Sequence, residues 1–194
     1  MTRKIGLTGG IACGKSEVAK RLSRHRIPVL DTDEVGHEFL KPGHPVFAEV
    51  LREFGEEYLN GHGEINRRKL GEHVFQHPEA LKKLNSIMHP EIQRTWRNWF
   101  VLQTAAVSVV AVPLLFEIGV EKDFDAVLCV TSTESMMVER LKQRNLTEKQ
   151  ALQRIRAQMP VDLKAEKSTW TFQNNGTLPE LLHQVDAWVQ REFQ

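Results

Sequence analysis

Cysteine is scarce in this chain. Only Cys13 and Cys129 occur among 194 residues, and they form no C-x-x-C pair. A disulfide framework is therefore not expected, and a reducing cytoplasm is the default compartment. An excess of one charge is also missing: 26 Lys and Arg stand against 25 Asp and Glu, a formal net charge of +1. That balance gives no global electrostatic case for nucleic acid or an anionic membrane as partner, so any basic surface must be local. Long apolar runs are absent too. The longest, from Ala105 to Phe116, is broken by Ser108 and Pro113 and is too short to span a bilayer. Met1-Thr2-Arg3-Lys4 leads straight into the first strand without the apolar segment of a signal peptide. No internal repeat or low-complexity stretch appears. What remains, 41% hydrophobic and 26% charged, is ordinary for a compact domain long enough to bury a real core, with room for an insertion.

Against this plain background one segment stands out. Gly9-Gly10-Ile11-Ala12-Cys13-Gly14-Lys15-Ser16 follows the short run Ile5-Gly6-Leu7-Thr8 and fits G-x-x-x-x-G-K-S/T, the phosphate-binding loop pattern. An amphipathic segment follows it, with Val18, Ala19 and Leu22 between charged Glu17, Lys20, Arg21 and Arg24. Glycines let successive backbone N–H groups turn toward one centre and approach phosphate oxygens closely. The next helix offers its unpaired N-terminal N–H groups and positive dipole end to the same anion. Lys15 is expected to reach the outer phosphates and Ser16 to ligate magnesium. The alternative is a glycine-rich turn that only joins strand to helix. The pattern and its flanks point instead to a nucleoside triphosphate with Mg²⁺.

Strands alternate with helices along the chain. Strands are expected at 3–8, 27–30, 107–112, 126–131 and, more weakly, 169–172. Helices are expected at 14–24, 134–144, 148–159 and 178–192. This order implies a parallel, three-layer α/β sheet of about five strands. The region 35–100 shows no convincing strand. It reads as a helical stretch broken at Gly43, at Gly61-His62-Gly63, and at Pro78 and Pro90, and it is too large for a simple crossover. The expected organisation is a phosphate-loop core (1–34, 105–135 and 165–194), a helical substrate-binding region (35–104) and a small lid (136–164).

Asp31-Thr32-Asp33 falls at the end of the second strand, where open parallel sheets place their ligands. A carboxylate there can take the proton of an attacking hydroxyl. Alternatively, Asp33 is only the N-cap of a helix beginning at Glu34. The basic segment around Arg140 and Arg144, with Arg154 and Arg156 beyond it, suits a flap that neutralises a transferring phosphoryl group and excludes water. It can equally be a solvated helix face. His73 and His77 are four apart, but Pro78 ends that helix and no third ligand is evident, so a metal site is not expected there. Cys13, at the threshold of a helix and near an ammonium, is expected to be the more reactive thiol. The alternative is a small residue where bulk is excluded.

Several further elements occur in order: Asn66-Arg67-Arg68-Lys69-Leu70 before Val74-Phe75, Ile87-Met88-His89-Pro90-Glu91-Ile92, Pro113-Leu114-Leu115-Phe116-Glu117, Arg154-Ile155 with Gln158, and Asn174-Asn175-Gly176. Together with the loop and Asp31-Thr32-Asp33, the chain resembles the dephospho-coenzyme A kinase family nearly end to end. The resemblance implies a P-loop kinase core, a helical coenzyme-binding region and a small lid. It implies transfer of the ATP γ-phosphoryl group to the ribose 3′-hydroxyl of dephospho-coenzyme A. It also implies roles: Gly10, Ile11, Ala12, Cys13, Gly14, Lys15, Ser16 and Glu17 around the phosphates, with Ser16 on magnesium. Asp33 matches the candidate base, and Arg140 with Arg144 falls in the lid. Arg67 and His89 belong to the coenzyme-binding region, and Asn174 to Gly176 forms a loop near the adenine. The implied protein is cytoplasmic, a monomer or weak homo-oligomer with a small-molecule acceptor. Three departures are notable: Ala12-Cys13 replaces a usual Gly-Ser, Glu17 a usual Thr, and Ala111 an acid that some members carry. The last leaves Glu117 and Asp33 as candidates to complete the magnesium shell.

From the residues alone, a nucleoside monophosphate or small-metabolite kinase is the nearest alternative. A GTPase switch would need Asn-Lys-x-Asp, which is absent. A nucleotide-gated binding module would keep Lys15 without needing lid arginines.

Overall fold

The computed structural model describes residues 2–193. In chain order its elements are β1 (Arg3–Gly9), α1 (Lys15–Arg24), β2 (Val29–Asp31), α2 (Thr32–Phe39), α3 (Pro45–Phe54), α4 (Arg67–Gln76), α5 (Pro78–Val101), β3 (Val107–Ala111), β4 (Ala126–Thr131), α6 (Glu134–Lys142), α7 (Glu148–Arg156), α8 (Val161–Lys167), β5 (Trp170–Gln173) and α9 (Leu178–Phe193). Two compact units result. One combines the chain up to Asp31 with the chain from Phe100 onward; the other is Thr32–Trp99.

The first unit is an α/β layer structure on a parallel sheet of order β2-β3-β1-β4-β5. β3 and β4 are buried along their whole length, which is why they read as continuous apolar runs rather than alternating ones. Ile5 and Leu7 face one side of β1, where they join Val18 and Leu22 of α1 and Leu181, Val185 and Trp188 of α9 in one cluster. Gly6 faces the other side. A side chain there would meet Leu115 at 2.6 Å and Phe124 at 3.1 Å, so the residue is kept small by packing. The chain leaves β1 toward β2 on one side and leaves β4 toward β5 on the other. Their carboxyl ends therefore form the switch point at which open α/β sheets bind ligands.

The second unit is helical. Phe39, Val46, Val50, Tyr58, Leu70, Val74 and Ile87 form its core. Helix starts are set by local chemistry: His44 accepts from the Val46 N–H with Pro45 in the first turn, and Asn66 accepts from the Lys69 N–H. Leu59 and Ile65 pair across the turn at Gly61-His62-Gly63. His73 and His77 stack with ring centroids 4.5 Å apart, and the His77 ring donates to the His73 carbonyl.

Four sequence expectations need correction. Pro90 does not break the helix; it lies inside α5. Proline in a helix interior costs about 3 kcal/mol, but Ile87 and Met88 before it and Ile92 after it belong to one apolar cluster, and that packing holds the helix through. α2 begins at Thr32, so Asp33 is a first-turn residue and not the cap before Glu34. α6 ends at Lys142, which leaves Arg144 beyond the helix rather than one turn above Arg140. Finally, α8 was not expected at all. In it Leu163 is 45% exposed while Lys164 is fully buried, an inversion that hides the helix from any apolar periodicity.

Candidate active site

β1 ends against β4 so closely that a Cβ on Gly9 would fall 2.5 Å from the Val130 carbonyl. The backbone then turns through Gly10 to Gly14 into α1. Gly14 caps that helix at φ 101°, a left-handed conformation that favours glycine. Ala12 is also left-handed, at φ 60°, where a Cβ costs about 1–2 kcal/mol. The loop is folded on itself by Cys13 N–H to Gly10 O, 3.1 Å, and closed onto the helix by the Glu17 and Val18 N–H groups to Gly14 O.

Lys15, the first residue of α1, extends to Asp31 at the end of β2: Nζ to Oδ1 is 3.7 Å, with both side chains largely buried. Asp31 is in sheet register with Ala111 of β3, which is itself in register with Leu7 of β1. Asp31 is thus the carboxylate beside Ala111 on the neighbouring strand. This register and the pairing with Lys15 add Asp31 to the candidates for the magnesium shell. Glu117 is otherwise engaged. Its carboxylate accepts from the Met159 N–H at 3.0 Å and pairs with the wholly buried Lys164 at 2.7 Å.

Ser16 is exposed in the first turn of α1, and Glu17 points away to pair with Lys20 at 2.9 Å. Ser16 and Asp31 offer the hard oxygen donors that Mg²⁺ takes, one hydroxyl and one carboxylate, leaving room for water and phosphate oxygens.

Arg140 is not on an open flap. Its Nη1 donates to Ala12 O at 3.2 Å and Ser132 Oγ at 3.1 Å, and its Nη2 to Asn174 O at 2.9 Å. Asn174 in turn donates through Nδ2 to Cys13 O at 2.8 Å. Both residues buttress the loop from behind. Arg144 is exposed beyond α6, and Gly176 is exposed past β5. Gln158 accepts from the Ile11 N–H at 3.1 Å, so the segment after α7 is tied to the loop.

Cys13 does not behave as its position suggests. It has no exposed surface and packs in the core of the sheet. Burial pushes its thiol up to about 11, against the smaller opposing effects of the Gly10 backbone, Arg140 and Lys164. Cys129 is pushed up to about 12 by burial. The loop cysteine is a small core residue, not a reactive thiolate.

In the helical unit, Asp33 is exposed on the first turn of α2. Arg67 and Arg68 open α4 beside His37, Glu64 and Asn66, around a groove of about 520 Å³. His89 is half-buried within α5, away from that groove's lining, and its burial lowers its pKa. Sequence reasoning missed Lys164 and Ser132 outright. Neither lies in a motif, and only the inverted burial of α8 marks the lysine.

The sequence model of the family described as dephospho-CoA kinase matches residues 3–180. A dephospho-CoA kinase from Bdellovibrio bacteriovorus is 42% identical over 192 residues, covering 96% of each chain. The crystal structure of TT1252 from Thermus thermophilus is similar at TM-score 0.83 and 34% identity, covering 100% of this chain and 99% of that one. Dephospho-CoA kinase from Campylobacter jejuni has TM-score 0.71 at 23% identity, covering 98% and 97%, a likeness of fold.

Proposed function

This chain belongs to the dephospho-CoA kinase family, and on that premise we propose how its residues divide the work of phosphorylating dephospho-CoA, the last step of CoA biosynthesis. ATP lies with its phosphates in the loop from Gly10 to Ser16. The N–H groups of the loop and of the first turn of α1 surround the phosphate oxygens, and Lys15 exchanges Asp31 for the outer phosphates. Ser16 and Asp31 would hold Mg²⁺, which would supply positive charge to offset that of the phosphates. Asp33 takes the proton of the ribose 3′-hydroxyl as that oxygen attacks the γ-phosphorus and the bond to the bridging oxygen of ADP breaks. Arg67 and Arg68, in the groove with His37, suit the acceptor's phosphates, since a planar guanidinium pairs two oxygens at once. His89, in α5 and outside that groove's lining, contributes to acceptor binding at a separate point. Asn174 and Gly176 follow β5 at the nucleotide side.

The observation that carries this reading is the Lys15–Asp31 pair at the mouth of the loop, in a chain whose family shares the acceptor. We take the enzyme to act in the cytoplasm as a monomer or weak homo-oligomer, without nucleic acid or membrane. Among the described residues no helix is long and apolar enough to cross a membrane. The test is ADP release with Mg-ATP against a panel of hydroxyl acceptors. Dephospho-CoA should gain one phosphoryl group that a 3′-nucleotidase removes. No turnover of dephospho-CoA alongside turnover of a nucleoside monophosphate would overturn the assignment.

A further inference from the structure

We infer that Asn174 is a positioning residue for phosphate binding: from behind the loop it aims the Gly14 amide at the nucleotide's phosphates. This rests on the reading that the loop holds those phosphates, and it differs from a contact with adenine.

The argument begins with one peptide unit. No cis peptide occurs among the described residues. In a trans peptide the carbonyl of one residue and the N–H of the next point in opposite directions in one plane. Asn174 Nδ2 donates to Cys13 O at 2.8 Å in a buried setting. A carbonyl only accepts, so the NH₂ end of the amide must face it. Fixing the Cys13 carbonyl outward therefore turns the Gly14 N–H inward, to the side where phosphate binds. Gly14 is left-handed and lacks a Cβ; an added one would sit 2.6 Å from Asn174 Nδ2. The same glycine that permits the turn makes room for the buttress.

Asn174 is itself immobilised. Its N–H donates to Thr131 O at 2.8 Å, and its carbonyl accepts from Ser132 Oγ at 2.8 Å and from Arg140 Nη2 at 2.9 Å. Arg140 also holds the preceding loop carbonyl, Ala12 O, at 3.2 Å. Two successive loop carbonyls are thus gripped by the side chains of two residues, and the Arg140 guanidinium also holds the Asn174 backbone carbonyl. This is the arrangement that preorganised anion sites require, since donors fixed before binding cost no reorganisation when the anion arrives.

The test uses a ligand without a base. Affinities of the full-length wild type and Asn174→Ala for ATP, GTP and inorganic tripolyphosphate are measured by calorimetry. Misaiming one charge-assisted donor should weaken ATP and tripolyphosphate by the same factor, about 5- to 20-fold, with the ATP-to-GTP preference unchanged. Asn174→Asp, which keeps the shape, loses the donor and adds a negative charge, should lose at least as much for both ligands. Weaker ATP with unchanged tripolyphosphate would mean that Asn174 serves the base, and the inference falls. Unchanged affinity for both would also overturn it. If Asn174→Ala does not fold, Asn174→Ser, a donor of shorter reach, is read the same way with a smaller loss. A wild-type protein that binds neither ATP nor tripolyphosphate would instead remove the phosphate-loop reading itself.

Discussion

Lys164 Nζ lies 2.7 Å from Glu117 Oε1, with the lysine side chain wholly buried. The same ammonium donates to Pro113 O at 2.8 Å and, at 3.5 Å, to Gly9 O. One charge from α8 thereby ties together the end of β1, the turn after β3 and its own helix. Thr8 Oγ1 donates to the same Pro113 carbonyl. Removing one partner of such a pair strands the other. Lys164→Met should destabilise the protein by about 3 kcal/mol, the low end for a broken buried pair because Glu117 keeps some solvent. Urea unfolding of the two proteins checks it. A loss below about 1 kcal/mol would mean that the pair contributes little beyond its own desolvation.

What the sequence disclosed follows from how each signal is written. The loop was legible because its backbone shape dictates glycines at fixed spacing, and β3 and β4 because buried parallel strands are apolar throughout. Sequence does not single out Asp31, because its ion pair with Lys15 and its register with Ala111 join residues far apart in the chain. Sequence leaves Arg140 between a lid arginine and a solvated helix face, since charge on a helix says nothing about the carbonyls of Ala12 and Asn174 that receive it. Of the two readings open for Cys13, its burial favours the small residue in a space that excludes bulk. Sequence places it beside Lys15 and a helix start but does not show its burial, which raises the thiol's pKa against the lowering effects of the Gly10 backbone, Arg140 and Lys164.

Lys15 and Asp33 should fail in different ways. Lys15→Ala removes a phosphate contact and should lower both ATP affinity and turnover, the rate by about 10²–10³. Asp33→Asn keeps the size while losing the base, so turnover should fall by about 10²–10⁴ with ATP affinity near wild type. Asp33 is a first-turn residue and not the cap, so the loss cannot be charged to a missing N-cap bond. Single-turnover rates and ATP titrations of each variant separate the two. Full activity of Asp33→Asn would place the base elsewhere.

Asp186 joins α9 to α1. It accepts from Arg21 Nε at 2.6 Å and Nη2 at 2.5 Å, and it contacts His25 Nε2 at 2.7 Å. The Arg21 guanidinium, helped by His25, holds its carboxyl down from 3.8 to about 2. A depressed carboxyl stabilises the fold above its unfolded pKa and loses that contribution as pH falls through the folded one. Stability should therefore drop between about pH 4 and pH 2. With solvent screening of this partly exposed group, Asp186 contributes about 1 kcal/mol of that drop. Asp186→Asn should flatten this part of the stability profile, as measured by urea unfolding at a series of pH values. An unchanged profile would show that the pair is not coupled to folding.

Arg140 serves three acceptors at once, Ala12 O, Ser132 Oγ and Asn174 O. A lysine cannot span them in the plane of a guanidinium. Arg140→Lys should therefore lose nearly as much as Arg140→Ala. Both variants should weaken ATP binding without acceptor by about tenfold, together with turnover. A finger that engages only in the transition state predicts otherwise, with ATP affinity preserved and turnover alone reduced. Calorimetry on the acceptor-free enzyme, set beside kcat, decides between them.

The thiols give the last expectation, and it reverses the one drawn from sequence. Cys13 and Cys129 are both fully buried, with thiols pushed up to about 11 and about 12. Only the thiolate reacts, so native protein at pH 8 should resist iodoacetamide at both positions and keep its activity. After unfolding, both should alkylate at the rate of free cysteine. The sign of the linkage follows from the raised values. An acid kept neutral in the fold stabilises it below the unfolded pKa of 9.0, and that contribution is lost as pH climbs toward 11. Alkylation and loss of stability should therefore set in together above about pH 9. Mass mapping of labelled peptides against pH provides the measurement. Rapid labelling of Cys13 at pH 8 with protection by Mg-ATP would show that the loop opens far enough to bring this side chain to the phosphate site.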